Sequence, residues 1–202
     1  EDQDLHSLTA SKVFEVPISE VSKIQRNIGK TLNFGLLYGM GYKKYKTQAA
    51  NAKPQPIYLT LSEAKVAHAN FHRAYPRLRQ WHRERSAMVQ DGWTYVRTPI
   101  GRRRLLSYDD AVMTTCANSL IQGAGADIMK LAIAKLNDHL SDEFRPLATV
   151  HDELVFESVE DKAEHYKVIL ETNMKEAAES VLKVVPVKCD ASVSDNWKEG
   201  KG

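Results

Sequence analysis

Cysteine is scarce in this sequence: Cys116 and Cys189 are the only two among 202 residues. Neither falls in a Cys/His spacing that suggests zinc. Both are expected to be reduced thiols of an intracellular protein, cytoplasmic or nucleoid. Apolar runs of membrane-span length are missing, so no membrane partner is expected. No signal peptide opens the chain, and it starts Glu1-Asp2-Gln3-Asp4 without an initiator methionine, which suggests a processed chain or a piece of something longer. Repeats and low-complexity tracts are also absent.

Acidic residues are missing most unevenly. Residues 23–104 hold 17 Lys and Arg against 3 Asp and Glu, an excess of +14, whereas the remainder holds 11 against 23, or −12, for a net charge of +2. A block this basic suits a polyanion such as nucleic acid, although a solvated lysine- and arginine-rich surface has the same composition. The composition, 43% hydrophobic and 27% charged, is that of a globular protein with a real core.

The order of elements reads as helices first, then strand, strand, helix and strand. A short helix is expected over residues 4–14, ending at Val16-Pro17. Ser19 or Ser22 caps a second, reaching Tyr38, with Gly39 and Gly41 as stops. Residues 51–56 read as a loop. Thr60 to Glu63 has the capping-box pattern and opens a long helix to about Gln90, bent at Tyr75-Pro76. A hairpin is expected over residues 93–106, then a helix from Asp109 or Asp110 to about Leu140. Short strands at 147–150 and 154–157 flank His151-Asp152, and Ser158 or Asp161 caps a helix to about Leu182. A last strand is expected at 184–192. This is an α+β pattern, a helical subdomain with a small antiparallel sheet.

Two segments carry chemistry. Arg26, Lys30, Phe34 and Tyr38 recur every four residues and share one broad helix face. Two cations followed by two aromatics suit a nucleotide's phosphates, sugar and base. The spacing alone does not separate this from an ordinary amphipathic helix. The run from Ala148 to Glu157 is two apolar strands around a polar turn, and a carboxylate held there can bind a hard cation. His and Asp are equally ordinary turn residues.

The letters go further than the spacing. Arg26-x-x-x-Lys30-x-x-Asn33-Phe34-Gly35-x-x-Tyr38-Gly39 resembles motif B, the O helix, of the family A DNA polymerases. Asp4-Leu5-His6 with Thr9-Ala10 matches the same family. The resemblance implies that His6, Arg26 and Lys30 bind the incoming deoxynucleoside triphosphate and that Lys30 is a proton donor to the leaving pyrophosphate. Phe34 packs on the sugar, and Tyr38 lies near the templating base. Phenylalanine at 34, where some members carry tyrosine, implies discrimination against dideoxynucleotides. His151-Asp152-Glu153 resembles motif C: Asp152 as ligand of catalytic Mg²⁺, His151 at the primer end, Glu153 as a supporting carboxylate. Asn118-x-x-x-Gln122-Gly123 with Gly125-Ala126-Asp127 resembles the primer–template segment, with Asn118 and Gln122 reading minor-groove acceptors. Arg102, Arg103 and Arg104, after Gly101, are candidates for the nucleic-acid backbone or for salt bridges within the protein. Thr114 stands where bacterial repair-type members carry arginine, which leans toward the phage replicative branch.

The resemblance implies a right-hand polymerase architecture, incomplete here. Residues 1–90 correspond to fingers helices, including the O-helix-like segment 22–39, and 91–202 to a palm portion with the hairpin 147–157. The function implied is addition of deoxynucleotides to a primer 3′ end by two-metal phosphoryl transfer. The partners implied are primer–template DNA, deoxynucleoside triphosphates and a further segment carrying motif A and the thumb. The other metal carboxylate, from an Asp-Tyr-Ser-like motif A before His6, is not in the 202 residues, so the chain alone is expected to be inactive. Two other readings stand beside this one. A non-catalytic nucleic-acid-binding module explains the basic block but not Lys30, Phe34 and Asp152 together. A piece of a single-subunit RNA polymerase fits the fold but not the letters at Asn33 to Gly35 and Glu153.

Overall fold

The computed structural model describes residues 4–52, 56–92, 94–107 and 112–200. It divides into two compact units, Glu1–Val96 with Leu105–Asn118, and Arg97–Arg104 with Ser119–Gly202.

The first unit is helical. Helix α1 (Leu5–Phe14) is capped by Asp4, whose carboxylate accepts from the Ser7 backbone N–H at 2.8 Å. Helix α2 (Lys23–Leu36) starts at a reciprocal capping box between Ser22 and Gln25. Its end is a Schellman motif: Gly39 N–H donates to the Leu36 carbonyl at 3.0 Å and Met40 N–H to the Gly35 carbonyl at 3.1 Å. Gly39 takes the left-handed conformation this requires, with φ +80°. The helical path thus runs to Tyr38, as the sequence suggests.

Helix α3 (Tyr42–Ala50) was not expected from the sequence. Only Tyr45 and Ala49, one turn apart, are buried on it, too short a stripe to stand out as periodicity. The single long helix expected over 60–90 is two, α4 (Leu61–Ala74) and α5 (Pro76–Gln90). Tyr75 breaks them at φ −124°, ψ 67°, because a residue before proline avoids the helical region and Pro76 suits the first helical position. Ile28, Leu32 and Leu36 of α2 bury against Val13, Tyr45, Ala64 and Phe71. Residues offset by two from that stripe lie on the opposite face, and these are Arg26, Lys30 and Phe34.

Strands β1 (Tyr95–Arg97) and β2 (Arg103–Leu105) form a hairpin closed by Thr98 N–H to the Arg102 carbonyl at 2.9 Å. Trp93 lies outside the described residues, as do Asp109 and Asp110, the expected start of the next helix. Helix α6 is described over Met113–Leu136 and passes into a 3₁₀ turn at Asn137–His139, short of the expected Leu140.

In the second unit β3 (Phe144–Val150) pairs antiparallel with β4 (Glu153–Ser158), with a bulge at Leu147 between the Pro146 and Ala148 pairs. Helix α7 (Ala163–Val181) follows a 3₁₀ turn. Phe144 is the buried centre, stacked on Phe156 at 4.6 Å and on Tyr166 at 4.5 Å. The strand expected at 184–192 does not form. Val184 is 93% exposed, and the Ala191 N–H donates to the Glu171 carboxylate at 2.7 Å instead of to a ladder. A β-favouring composition becomes a strand only beside a partner, and this segment pairs with none among the described residues. The chain ends its described part in helix α8 (Trp197–Gly200).

Candidate functional site

The first unit carries the cation–aromatic face. Lys30 is exposed on α2, and its ammonium has no hydrogen bond or ion pair among the described residues. Phe34, one turn on, is 57% exposed, a large apolar surface to leave in water on a helix whose other face is fully buried. Arg26, one turn back, is gripped by Asp4 through Nε to Oδ2 at 2.9 Å and a terminal nitrogen to Oδ1 at 3.0 Å. That contact, with the Ser7 bonds, holds the Asp4 carboxyl far below the usual carboxylate range.

His6 joins this face from α1. Its ring centroid is 5.8 Å from that of Phe34. Close crossing makes this possible, since a Cβ at Gly29 would collide with the His6 carbonyl oxygen and sit 3.1 Å from the Ala10 nitrogen. Asn33 Nδ2 is 3.1 Å from His6 Nδ1. Burial lowers the His6 pKa, Arg26 and Lys30 lower it further, and Asp4 opposes them. Tyr38 is half-buried at the Schellman turn, where the preceding carbonyl, Leu37 O, is 2.8 Å from His82 Nε2.

The second unit carries the acidic turn. The β3–β4 register pairs Val150 with Glu153 and leaves His151 and Asp152 as a two-residue loop. His151 has φ +56°. Two-residue hairpins need a positive φ at the first loop position, and a side chain held there is strained, a feature concentrated at functional sites. Asp152 is exposed, and its carboxylate has no hydrogen-bond or ion-pair partner among the described residues. Glu153 is half-buried and engaged within the protein.

Arg102 lies against α6: Nε meets Asp127 Oδ1 at 2.5 Å, and a terminal nitrogen donates to the Gly123 carbonyl at 3.0 Å. Arg104 donates to Ser119 Oγ at 2.7 Å. Of the two readings open for the arginine run, Arg102 therefore has the internal salt bridge. Arg103 is exposed and has partners of its own. Asn118 and Gln122 are both exposed on α6. The sequence reading missed Asp4 as the partner of Arg26, Asn33 as the partner of His6, and Asp127 as the partner of Arg102. These pairs are 22, 27 and 25 residues apart. The only early signal was that Asp4, Asn33 and Asp127 all belong to the matched runs.

Cys116 and Cys189 form no disulfide. No helix among the described residues is long and apolar enough to cross a membrane.

The architecture is that of part of a polymerase domain. The POL domain of Pol1 from M. smegmatis, solved in complex with DNA primer-template and dNTP, superposes with a TM-score of 0.73 at 30% identity, over 87% of this chain and 31% of that one. The sequence is 34% identical to DNA polymerase I of Aquifex aeolicus over 96% of this chain and 34% of the relative. It is 32% identical to the thermostable DNA polymerase I of Thermus aquaticus over 100% of this chain and 24% of the relative. The chain therefore spans about a quarter to a third of these relatives. The profile of DNA polymerase family A matches residues 1–199, and the chain belongs to that family. These relatives are bacterial, so the lean toward the phage branch rests on Thr114 alone and has no support from them.

Proposed function

We propose that this chain is the nucleotide-gripping and primer-positioning part of a DNA-directed DNA polymerase, with residues 1–90 serving as fingers and 91–202 as part of the palm. The observation that carries the reading is the α2 face: Arg26, Lys30 and Phe34 stand opposite the buried Ile28, Leu32 and Leu36, with His6 beside them. Arg26 and Lys30 take phosphate oxygens, the first as a planar fork and the second as a point charge. Lys30 also hands a proton to the leaving pyrophosphate. Phe34 meets the sugar and Tyr38 the templating base. His151 positions the primer end, Asn118 and Gln122 read the minor groove, and Arg103 meets the backbone. Arg102 adds only the donors its Asp127 contact leaves over. Positioning and charge stabilisation supply the catalysis.

A magnesium ion fits Asp152 as a ligand of one carboxylate. The group is exposed on a two-residue turn, and Mg²⁺ takes one or two carboxylates together with substrate phosphates. No three His, Cys, Asp or Glu converge among the described residues; in this reading the second carboxylate is that of the motif A segment, with Glu153 in support. When bound, the metal neutralises charge developing on the phosphates.

The test is primer extension with a motif A segment supplied in trans. Extension is expected with deoxynucleotides, is lost in Asp152→Ala, and is absent from the 202 residues alone. Activity that survives Asp152→Ala sinks the metal assignment. DNA binding without any extension favours a non-catalytic module, and extension with ribonucleotides favours an RNA polymerase.

A further inference from the structure

A directed hydrogen-bond chain ends on His6. The Asn33 amide has its nitrogen 3.1 Å from His6 Nδ1 and 3.4 Å from the Leu5 carbonyl oxygen, and its oxygen 2.9 Å from the Thr9 hydroxyl. A carbonyl oxygen only accepts, so the nitrogen end of the amide faces α1's first turn and the oxygen end faces Thr9. The Thr9 hydroxyl has one proton, and it goes to Asn33 Oδ1. The Tyr75 hydroxyl, 2.8 Å from Thr9 Oγ1, is then the donor to Thr9. Thr9 is fully buried, so no water competes for these bonds. The chain runs Tyr75 to Thr9 to Asn33 to His6, each donating to the next.

His6 Nδ1 is therefore an acceptor. A neutral imidazole has one N–H, which must be on Nε2. Protonating Nδ1 would set two N–H groups against each other. We propose that Asn33 is a positioning residue that holds His6 as the neutral Nε2–H tautomer, so that His6 meets a nucleotide phosphate as a neutral donor and not as a cation. The phosphate half of this rests on the function proposed above; the tautomer half does not. Three charged groups act on the ring, Asp4 from the α1 cap and Arg26 and Lys30 from α2. The two cations favour the neutral form and Asp4 opposes it. Leaving the positive charge to Arg26 and Lys30 avoids a third cation beside them.

The experiment is nitrogen-15 histidine NMR on the 202-residue chain, with His6→Gln to assign the signal. The expected wild-type spectrum at neutral pH shows Nε2 protonated and Nδ1 bare, with a titration midpoint below the ordinary histidine value. A wild-type Nδ1–H tautomer overturns the proposal whether or not any variant folds. Asn33→Asp replaces the donor with an acceptor and is expected to move the proton to Nδ1 and raise the midpoint by more than one unit. If that variant does not fold, Asn33→Ala is expected to give a mixture of tautomers, and an unchanged Nε2–H form in either folded variant counts against Asn33. Binding of inorganic tripolyphosphate reads the second half. His6→Ala is expected to weaken it about tenfold, as for a lost bond to a charged group, by the same factor from pH 6.5 to 8. A factor that grows toward pH 6.5 shows a cationic His6 and overturns the neutral-donor role. If Arg26→Ala and Lys30→Ala leave tripolyphosphate binding unchanged, the phosphate reading fails while the tautomer result stands.

Discussion

Asp4 caps helix α1 and at the same time holds Arg26 of α2 by two hydrogen bonds, at 2.9 and 3.0 Å. One carboxylate thus fixes a helix start and occupies the guanidinium proposed to grip a triphosphate. A phosphate must displace or share Asp4. Because Asp4 is held ionised well below the usual carboxylate range, it remains a charged competitor throughout pH 5 to 8. Asp4→Asn keeps a good cap and removes the charge. It is expected to tighten tripolyphosphate binding about three- to fivefold at low salt, the scale of one exposed ion pair. Calorimetric titration at low and high salt checks this, and the gain should shrink as salt screens it.

Arg102 and Asp127 form the opposite kind of pair. Asp127 is 1% exposed, and its Oδ2 has no partner. Removing Arg102 leaves a carboxylate buried and uncompensated. Arg102→Ala is expected to destabilise the second unit by about 3 kcal/mol, the low end for a broken buried pair, because the arginine side is half-exposed. Asp127→Leu in the same chain should recover part of that loss. Urea unfolding of the single and double variants measures it, and an Arg102→Ala effect within error of zero rules the pair out as a structural anchor.

A histidine cluster makes the first unit acid-sensitive. His72 lies 4.6 Å from His68 and 5.8 Å from His82, ring centre to ring centre, and its buried Nδ1 has no partner. Burial first, then His68, His82 and Arg79, push its pKa down to about 4. The folded form keeps the ring neutral while the unfolded chain takes up a proton near its ordinary 6.5. Stability is therefore complete above about 6.5, falls as pH drops toward 4, and levels off below. His72→Phe should flatten this slope in thermal melts recorded between pH 4 and 7.

Phe34 leaves more than half its surface in water although its helix has a full core on the other side. That exposure suits a ring waiting for a sugar. Phe34→Tyr is expected to raise dideoxynucleotide incorporation by the enzyme assembled with motif A, without loss of deoxynucleotide incorporation. Chain-termination assays at fixed ratios of the two substrates measure this, and unchanged termination would refute the sugar contact.

Local chemistry in the sequence determined the helix starts at Asp4 and Thr60, the break at Tyr75-Pro76, the Gly39 stop and the 147–157 hairpin, and narrowed the α2 cap to Ser19 or Ser22, of which the structure uses Ser22, because caps, prolines and tight turns act within a few residues. It also determined which face of α2 stays in water, since period 3.6 sets Ile28, Leu32 and Leu36 against Arg26, Lys30 and Phe34. Tertiary structure alone decided that residues 184–192 join no strand among the described residues, because a strand depends on its neighbour. It alone decided the partners as well: Asp4 for Arg26, Asn33 for His6, Asp127 for Arg102. A hydrogen bond needs atoms within about 3 Å, and contact at that range between residues more than twenty apart in sequence exists only once the helices have packed.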